Sequence, residues 1–125
     1  MIVLGIGGIL REGAAALLKD GALAGAVEQR KVARRLRPGA LPEESIASCL
    51  SLAGVEAGEV DCVAIAGPLG AGSDNRLHLA LRAAFPNSQV VMVDHHTAHA
   101  ASAYYASPFA EATVLTLDRS GDFRC

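Results

Sequence analysis

The stretch Val90-Val91-Met92-Val93-Asp94-His95-His96-Thr97-Ala98-His99 joins a short apolar run to a polar segment that continues, rich in alanine, to Tyr105. The apolar run predicts a buried strand. Asp94 stands where a helix N-cap belongs, and the alanine-rich residues behind it have high helix propensity. The stretch therefore predicts a buried strand that passes directly into a helix.

Three of the four histidines of the chain lie at the start of this predicted helix. His95 and His99 are four residues apart, which places them on one helix face, one turn from each other. Two neutral imidazoles in this arrangement can share a transition metal, and a helix start at the carboxyl end of a strand is a common ligand site. His96 points elsewhere, although its spacing to His99 allows a second pairing. Alternatively, Asp94 only caps the helix and the histidines are a hydrated helix start without a metal.

The composition is that of one globular domain. A chain of 125 residues can bury a real core, and 51% of the residues are hydrophobic although only 4% are aromatic. Small residues are therefore expected at the contacts between elements. A net charge of −2 gives no field that would attract nucleic acid. The basic run Arg30–Arg37 could bind a polyanion, but such runs are more often solvated surface.

The cysteines and the apolar runs bear on the cellular compartment. Cys49, Cys62 and Cys125 have no metal-binding spacing, and an odd number of cysteines does not suggest a disulfide framework. No apolar run reaches membrane-spanning length, and the amino terminus lacks the pattern of a signal peptide. The sequence thus predicts a reduced, cytoplasmic location and no membrane partner.

The first part of the chain predicts an antiparallel meander. Met1–Ile6, Ala14–Lys19 and Ala22–Glu28 are apolar runs of strand length. Gly7-Gly8 gives a tight turn after the first strand, and Asp20-Gly21 is the dipeptide most suited to a type I′ hairpin. Three consecutive antiparallel strands follow from this pattern.

Helices and strands alternate in the rest of the chain. Glu43 and Glu44, which follow Pro42, predict the start of a helix, and Gly54 predicts its end. An apolar stripe at positions i, i+4 and i+8 predicts a second helix, which faces the core. A glycine-rich loop, 67–73, could approach a phosphate but lacks the lysine of a P-loop, which favours a linker. The predicted elements are a helix from Pro42 to Gly54, a strand Cys62–Ala66, a helix Asn75–Phe85 with the stripe Leu77, Leu81 and Phe85, a strand Gln89–Val93 and the histidine helix.

This order of elements predicts an α/β fold. A three-stranded meander followed by right-handed strand–helix crossovers gives a mixed sheet with helices on its faces, as in a ribonuclease-H-like, actin-like half. Residues 1–109 form this first lobe in our prediction. The apolar run Ala112–Asp118 and the turn behind it restart the pattern, so residues 110–125 are interpreted as the first strand of a truncated second lobe. Such an unpaired strand must join the sheet, pair with another chain or be disordered. Pairing with a second copy of the same chain would give a homodimer.

The histidine helix and the segment behind it carry a resemblance to a known family. The block His95-His96-Thr97-Ala98-His99-Ala100-Ala101-Ser102-Ala103-Tyr104-Tyr105-Ala106-Ser107-Pro108-Phe109, followed by Val114–Asp118 and Gly121-Asp122, resembles the amino-terminal region of the NodU/CmcH-type O-carbamoyltransferases. Leu4-Gly5-Ile6 and the hairpin 15–21 resemble the same region. Those enzymes are actin-like and are related to the threonylcarbamoyl-adenosine synthesis proteins.

The resemblance implies an activity and a site. Such enzymes move a carbamoyl group from carbamoyl phosphate, through a carbamoyl-adenylate made with ATP, to a substrate hydroxyl. By resemblance His95 and His99 hold a divalent metal, most commonly iron. Asp118 would face the metal or its nucleotide ligand, as a catalytic and cofactor-binding residue. The glycines of the two turns, Gly7 with Gly8 and Gly121, are the further positions expected to bind the cofactor.

The chain also departs from the family pattern. Family members have His, Asp and Ser in the turn after the first strand, where the acceptor hydroxyl loses its proton; here these positions hold Leu10, Glu12 and Ala14. Leu10 cannot accept a proton, and Glu12 keeps a carboxylate that makes it the candidate catalytic base. The resemblance also ends near the middle of the actin-like pair. A second actin-like lobe, an adenylate-forming domain and a small-molecule acceptor are therefore the implied partners.

Three functions are compatible with these observations. The chain is the first lobe of a carbamoyltransferase that is inactive alone, or it is a catalytically decayed binding or assembly module that keeps the fold. A small metal-dependent hydrolase that uses His95, His99 and Asp118 is a weaker alternative, because no general base stands near these residues in the sequence.

Overall fold

The computed structural model describes residues 1–67 and 75–118, and in these residues the elements follow the predicted order. The strands end where the turn-forming residues stand, and the helices begin and end near the predicted residues. The strands are β1 (Ile2–Gly7), β2 (Ala14–Lys19), β3 (Ala22–Glu28), β4 (Cys62–Ala66) and β5 (Gln89–Val93), and the helices are α1 (Gln29–Val32), α2 (Glu43–Ala53), α3 (Asn75–Ala84) and α4 (His95–Tyr105).

The five strands form one mixed sheet in the order β3-β2-β1-β4-β5. β2 is antiparallel to both of its neighbours, whereas β1, β4 and β5 are parallel. The β2–β3 hairpin turns at Asp20 and Gly21, whose φ values of 52° and 82° are those of the predicted type I′ turn. A register shift between Leu17 and Leu18 makes the hairpin irregular.

One face of the sheet is covered by α2 and α3. The crossovers β3–α2–β4 and β4–α3–β5 run in the same direction across the sheet, so two right-handed connections place both helices on one face. The predicted stripe of α3 is confirmed, since Leu77, Leu81 and Phe85 are all buried. The core under the two helices comprises Leu4, Ile6, Ile9, Ala15, Leu17, Ile46, Cys49, Val55, Val60, Val63, Ile65, Leu77, Leu81 and Phe85.

The opposite face of the sheet is lined by small and apolar side chains that are only partly covered. Val3, Ala16 and Ala64 are half-buried there, and Leu18 is 40% exposed. A Cβ atom placed on Gly5, in the central strand, would contact only the Ala16 carbonyl oxygen of the neighbouring strand, at 3.6 Å. The centre of this face is therefore open in the described residues.

The chain returns along α4 after that helix ends. Residues 112–118 are assigned neither helix nor strand, so the strand predicted from Ala112 to Asp118 has no pairing neighbour in the described residues. The division into a first lobe, 1–109, and the start of a second, 110–125, stays a prediction. Residues 68–74 and 119–125, which include most of the glycine-rich loop and Gly121, lie outside the described residues.

The basic run Arg30–Arg37 is a solvated face, as predicted, since all of its arginine and lysine residues are exposed. The residue before the run is different. Gln29–Val32 form the short helix α1, and Gln29 is buried. Its amide oxygen accepts a hydrogen bond of 3.0 Å from the backbone N–H of Ser45, and its amide nitrogen donates to Glu44. This side chain therefore ties α1 to the first turn of α2.

All helices in the described part of the chain fall short of a membrane span in length and apolarity.

Candidate metal centre and cleft

Asp94 determines the start of α4. Its backbone is extended, and its Oδ1 accepts hydrogen bonds from the backbone N–H groups of His96 and Thr97, at 3.1 and 3.2 Å. This is the predicted N-cap, and it satisfies two of the donors that a helix start leaves without an intrahelical partner. Because β5 ends at Val93, the cap directs the first turn of α4 outward from the carboxyl end of the strand.

His95, His99 and Asp118 converge at this first turn. His95 Nε2 lies 2.6 Å from Asp118 Oδ2 and 3.2 Å from His99 Nε2, and His99 Nε2 lies 3.7 Å from Asp118 Oδ2. His95 is half-buried, while His99 and Asp118 are exposed. The structure thus brings together the two histidines predicted from their spacing and the aspartate predicted from the resemblance.

The three groups fit a divalent metal by their donors and spacing. Ligand atoms bound to one ion at about 2.0–2.2 Å lie roughly 3 Å apart, and the three observed separations bracket that value. A neutral imidazole has one N–H and one lone pair, so two Nε2 atoms facing each other and a carboxylate cannot all be hydrogen-bonded well. A cation would accept a lone pair from each of them. Two imidazoles and a carboxylate suit iron, zinc and similar ions.

His96 does not join this cluster. Its ring meets that of His95 edge-on, with centroids 5.6 Å apart. Its Nδ1 is buried without a hydrogen-bond partner among the described residues. The second pairing, between His96 and His99, is therefore not formed, and His78 lies exposed on α3.

A second feature lies at the end of β1. An open cleft of about 440 Å³ contains the predicted Gly7, Gly8 and Glu12. Gly8 has a φ of 64°, and its carbonyl oxygen accepts hydrogen bonds of 2.9 Å from the N–H groups of Arg11 and Gly13, which close the turn. The cleft is lined by Gly7, Gly8, Arg11, Glu12, Gly13, Ala14 and Glu28.

The charged groups of the cleft are linked through Arg30 of α1, the first residue of the basic run, whose pairing with glutamates was not predicted. Its Nε donates to Glu28 Oε2 at 2.7 Å, and its Nη1 is 3.5 Å from Glu12 Oε2. The hydrogen bond and charge of Arg30 lower the pKa of Glu28, and the same bond raises the pKa of Arg30. Leu10 is exposed beside this turn and cannot take part in proton transfer.

The cleft and the cluster open at the same edge of the sheet. β1, β4 and β5 are parallel, so their carboxyl ends meet there, with β4 between the other two. Two strand spacings of about 4.8 Å separate the strands that carry the two features. The residues predicted separately, at the first turn and at the histidine helix, thus lie on one edge, where ligands of open α/β sheets bind.

Comparison with known proteins finds relatives of this chain. Residues 76–125, which contain all of α3 but its first residue and the whole histidine helix, match the family model described as Carbamoyltransferase N-terminus. Nodulation protein NolNO of Sinorhizobium fredii is 32% identical over 91% of the chain, and the match covers 20% of NolNO. The uncharacterized protein sll1178 of Synechocystis is 27% identical over 97% of the chain, with 26% of that protein covered. The chain therefore spans about a fifth to a quarter of the length of these curated relatives.

Solved structures give the same fold. YeaZ from Pseudomonas aeruginosa superposes with a TM-score of 0.55 at 21% identity, over 84% of this chain and 48% of YeaZ. An uncharacterized protein with similarity to peptidase YEAZ, also from Pseudomonas aeruginosa, superposes with a TM-score of 0.50 at 20% identity, over 86% of this chain and 49% of that one. The α/β, ribonuclease-H-like and actin-like fold predicted from the sequence is confirmed, as is the resemblance of this chain to the amino-terminal region of the carbamoyltransferase family.

Proposed function

We propose that this chain is the amino-terminal lobe of a carbamoyltransferase that moves a carbamoyl group from carbamoyl phosphate, through an ATP-dependent carbamoyl-adenylate, to a hydroxyl of a small-molecule acceptor. The observation that carries the proposal is the convergence of His95, His99 and Asp118, whose ligand atoms all lie within 4.8 Å of one another. The family match over the same residues supports it.

The residues divide into two groups by their chemistry. His95 and His99 supply imidazole nitrogens and Asp118 a carboxylate for a divalent ion, with iron as the expected metal. Such an ion, when bound, neutralises phosphate charge and polarises a carbonyl. Glu12 is the carboxylate of this edge that could accept the proton of the acceptor hydroxyl, and Arg30 holds its side chain toward the cleft. The turn at Gly7 and Gly8 carries no bulky side chain and leaves room for a nucleotide or phosphate beside it.

The proposal includes further parts of the enzyme. The cluster is exposed on one side, so a second actin-like lobe would close it, and an adenylate-forming domain would supply the activated carbamoyl group. The limited coverage of the relatives supports such partners, whether they belong to the same polypeptide or to another. A reduced cytoplasmic setting belongs to the proposal as well, in keeping with the free Cys49 and Cys62.

Metal binding is the direct test of the cluster. Fe²⁺ titrated anaerobically into the chain should bind stoichiometrically, and His95→Ala, His99→Ala and Asp118→Asn should each weaken the affinity at least about tenfold, a loss of about 1.4 kcal/mol. His78→Ala removes an exposed histidine from α3 and is the matched control, which should bind as the wild type does. Equal binding by all four variants would mean that the histidines of α4 are only a hydrated helix start.

Activity tests the role as one lobe. The chain mixed with carbamoyl phosphate, ATP, Fe²⁺ and a panel of small hydroxyl-bearing acceptors should transfer nothing, and transfer should appear when the carboxyl-terminal part of a longer relative is added. Turnover by this chain without a partner would contradict the account of an incomplete site.

A decayed binding or assembly module is the second candidate function, and Leu10 favours it. This exposed side chain occupies the place where the family has a histidine, so the expected base is missing. If the chain is such a module, Leu10→His should produce no turnover even with a complete second lobe. If it is a carbamoyltransferase lobe, the same variant should raise the rate of transfer above that of Glu12 alone.

A further inference from the structure

Residues 112–118, to which neither helix nor strand is assigned, follow one contact with α4, at Ala110, and end at a second contact with it, at Asp118. Behind α4, the hydroxyl of Tyr104 donates a hydrogen bond of 2.7 Å to the carbonyl oxygen of Ala110. At the other end, Asp118 Oδ2 lies 2.6 Å from His95 Nε2 in the first turn of the same helix. The segment therefore runs back along the full length of α4, an 11-residue helix about 16 Å long, from its last turn to its first.

Between these attachments the segment has few interactions. Val114 and Thr116 are half-buried, whereas the alternating Leu115 and Leu117 are 79% and 85% exposed. Within the described ranges no backbone–backbone hydrogen bond is seen for residues 111–117. Each ordered residue loses backbone freedom, and little burial compensates for that loss here. The order of this segment therefore depends strongly on its two ends.

The attachment at Asp118 is also the candidate metal centre. His95 and His99 belong to α4, while Asp118 belongs to the returning segment, so an ion held by all three would join the two elements. Coordinate bonds from the ion to α4 and to the segment would replace the solvent-accessible hydrogen bond between His95 and Asp118. The free energy of metal binding would then be coupled to the ordering of the segment.

We propose that the metal acts as a clasp that fastens residues 112–118 against α4, and that its binding controls whether this segment is ordered. The inference rests on the proposed metal centre and adds a conformational role to it. With the metal bound, the segment holds Leu115 and Leu117 on its exposed outer side. Without the metal, the segment detaches from α4 and this arrangement is lost. The clasp thus makes the position of these two leucine side chains depend on the metal.

Limited proteolysis of the whole chain by chymotrypsin tests the clasp, with Zn²⁺ as a redox-inert probe and mass spectrometry to follow the cuts after Leu115 and Leu117. A protease must draw the segment into its own active site, so if opening of the segment breaks the metal centre, cleavage at these two leucines should slow by a factor of 1 + [metal]/Kd, about a hundredfold at a free Zn²⁺ concentration of 100 Kd. His78→Ala should show the same slowing. Asp118→Asn should show none in this segment, and an unchanged midpoint of urea denaturation without metal would verify that the variant is folded.

The outcomes separate this inference from the proposed metal centre. Zn²⁺ that binds stoichiometrically but leaves cleavage at Leu115 and Leu117 unchanged would overturn the clasp and keep the metal centre. The same holds if slowing persists in Asp118→Asn, because the coupling would then not pass through this carboxylate. Absence of any Zn²⁺ and Fe²⁺ binding by the wild type would overturn both.

Discussion

Asp94 is the residue on which the geometry of the histidine cluster depends, because its side chain determines where α4 begins. Asp94→Ala removes the acceptor for two backbone N–H groups and should lower the free energy of unfolding by about 1 kcal/mol. Asp94→Asn retains an acceptor and should lose only a few tenths of that amount. Urea denaturation of both variants checks the difference. If Asn proves as harmful as Ala, the negative charge at the helix start, and not the hydrogen bond, is what stabilises it.

Glu44 gives the fold a dependence on acid. Hydrogen bonds from its own backbone N–H and from the Gln29 amide lower its pKa in the folded chain. A lowered pKa in the folded chain means that the unfolded chain binds the proton more readily. The ionised Glu44 therefore stabilises the fold fully above the ordinary glutamate pKa of about 4.3. This stabilisation is lost as the pH falls through the pKa that Glu44 has in the folded chain. The free energy of unfolding should therefore drop as the pH falls below about 4.3. Glu44→Gln should make that drop smaller, whereas Glu43→Gln, which removes a charge from the same helix turn, should leave it as in the wild type.

At the scale of elements, α2 ends at Gly54 in a left-handed backbone conformation that favours glycine. Gly54 has a φ of 62°, and a Cβ atom added to it would have no neighbour within 4 Å among the described residues, so a side chain there would cost backbone strain alone. Gly54→Ala should destabilise the chain by roughly 1 kcal/mol. Gly58→Ala is the matched control, because Gly58 is equally open but has no left-handed φ, and it should be within about 0.5 kcal/mol of the wild type. Thermal denaturation of the two variants measures the contrast.

The elements themselves were largely predictable from local chemistry. Asp20-Gly21 specified the hairpin, Gly54 the end of α2, and the spacing of Leu77, Leu81 and Phe85 the buried side of α3. These features depend on residues within one turn or one helix. The strand expected at 112–118 depends instead on a neighbouring strand, which no local pattern supplies, and the described residues contain no partner for it.

The candidate site was predictable to a smaller extent. The spacing of His95 and His99 placed two rings on one helix face, but only the resemblance suggested Asp118, since its position depends on how the chain returns along α4. The contacts of Arg30 with Glu28 and Glu12 were missed, although one signal existed. A hairpin centred on Asp20-Gly21 pairs the end of β3 with Ala14, beside Glu12. The register shift between Leu17 and Leu18 moves that pairing by one residue and determines that Glu28 is the partner of Ala14.

For the whole molecule, the main asymmetry is that helices cover one face of the sheet and leave the other face open. Leu17 of β2 lies on the covered face, and Leu18 of the same strand lies on the open one. Leu17 is 0% exposed under the helices, whereas Leu18 is 40% exposed on the open face. Leu17→Ala should cost about 2–5 kcal/mol, because it leaves a cavity in a packed core. Leu18→Ala should cost less than about 1 kcal/mol, because solvent already reaches that side chain. Urea denaturation at low protein concentration measures both. If Leu18→Ala is as costly as Leu17→Ala, the open face is covered in solution. A cost of Leu18→Ala that falls on dilution would then identify a second copy as the cover, because a dimer dissociates on dilution whereas an intramolecular contact does not.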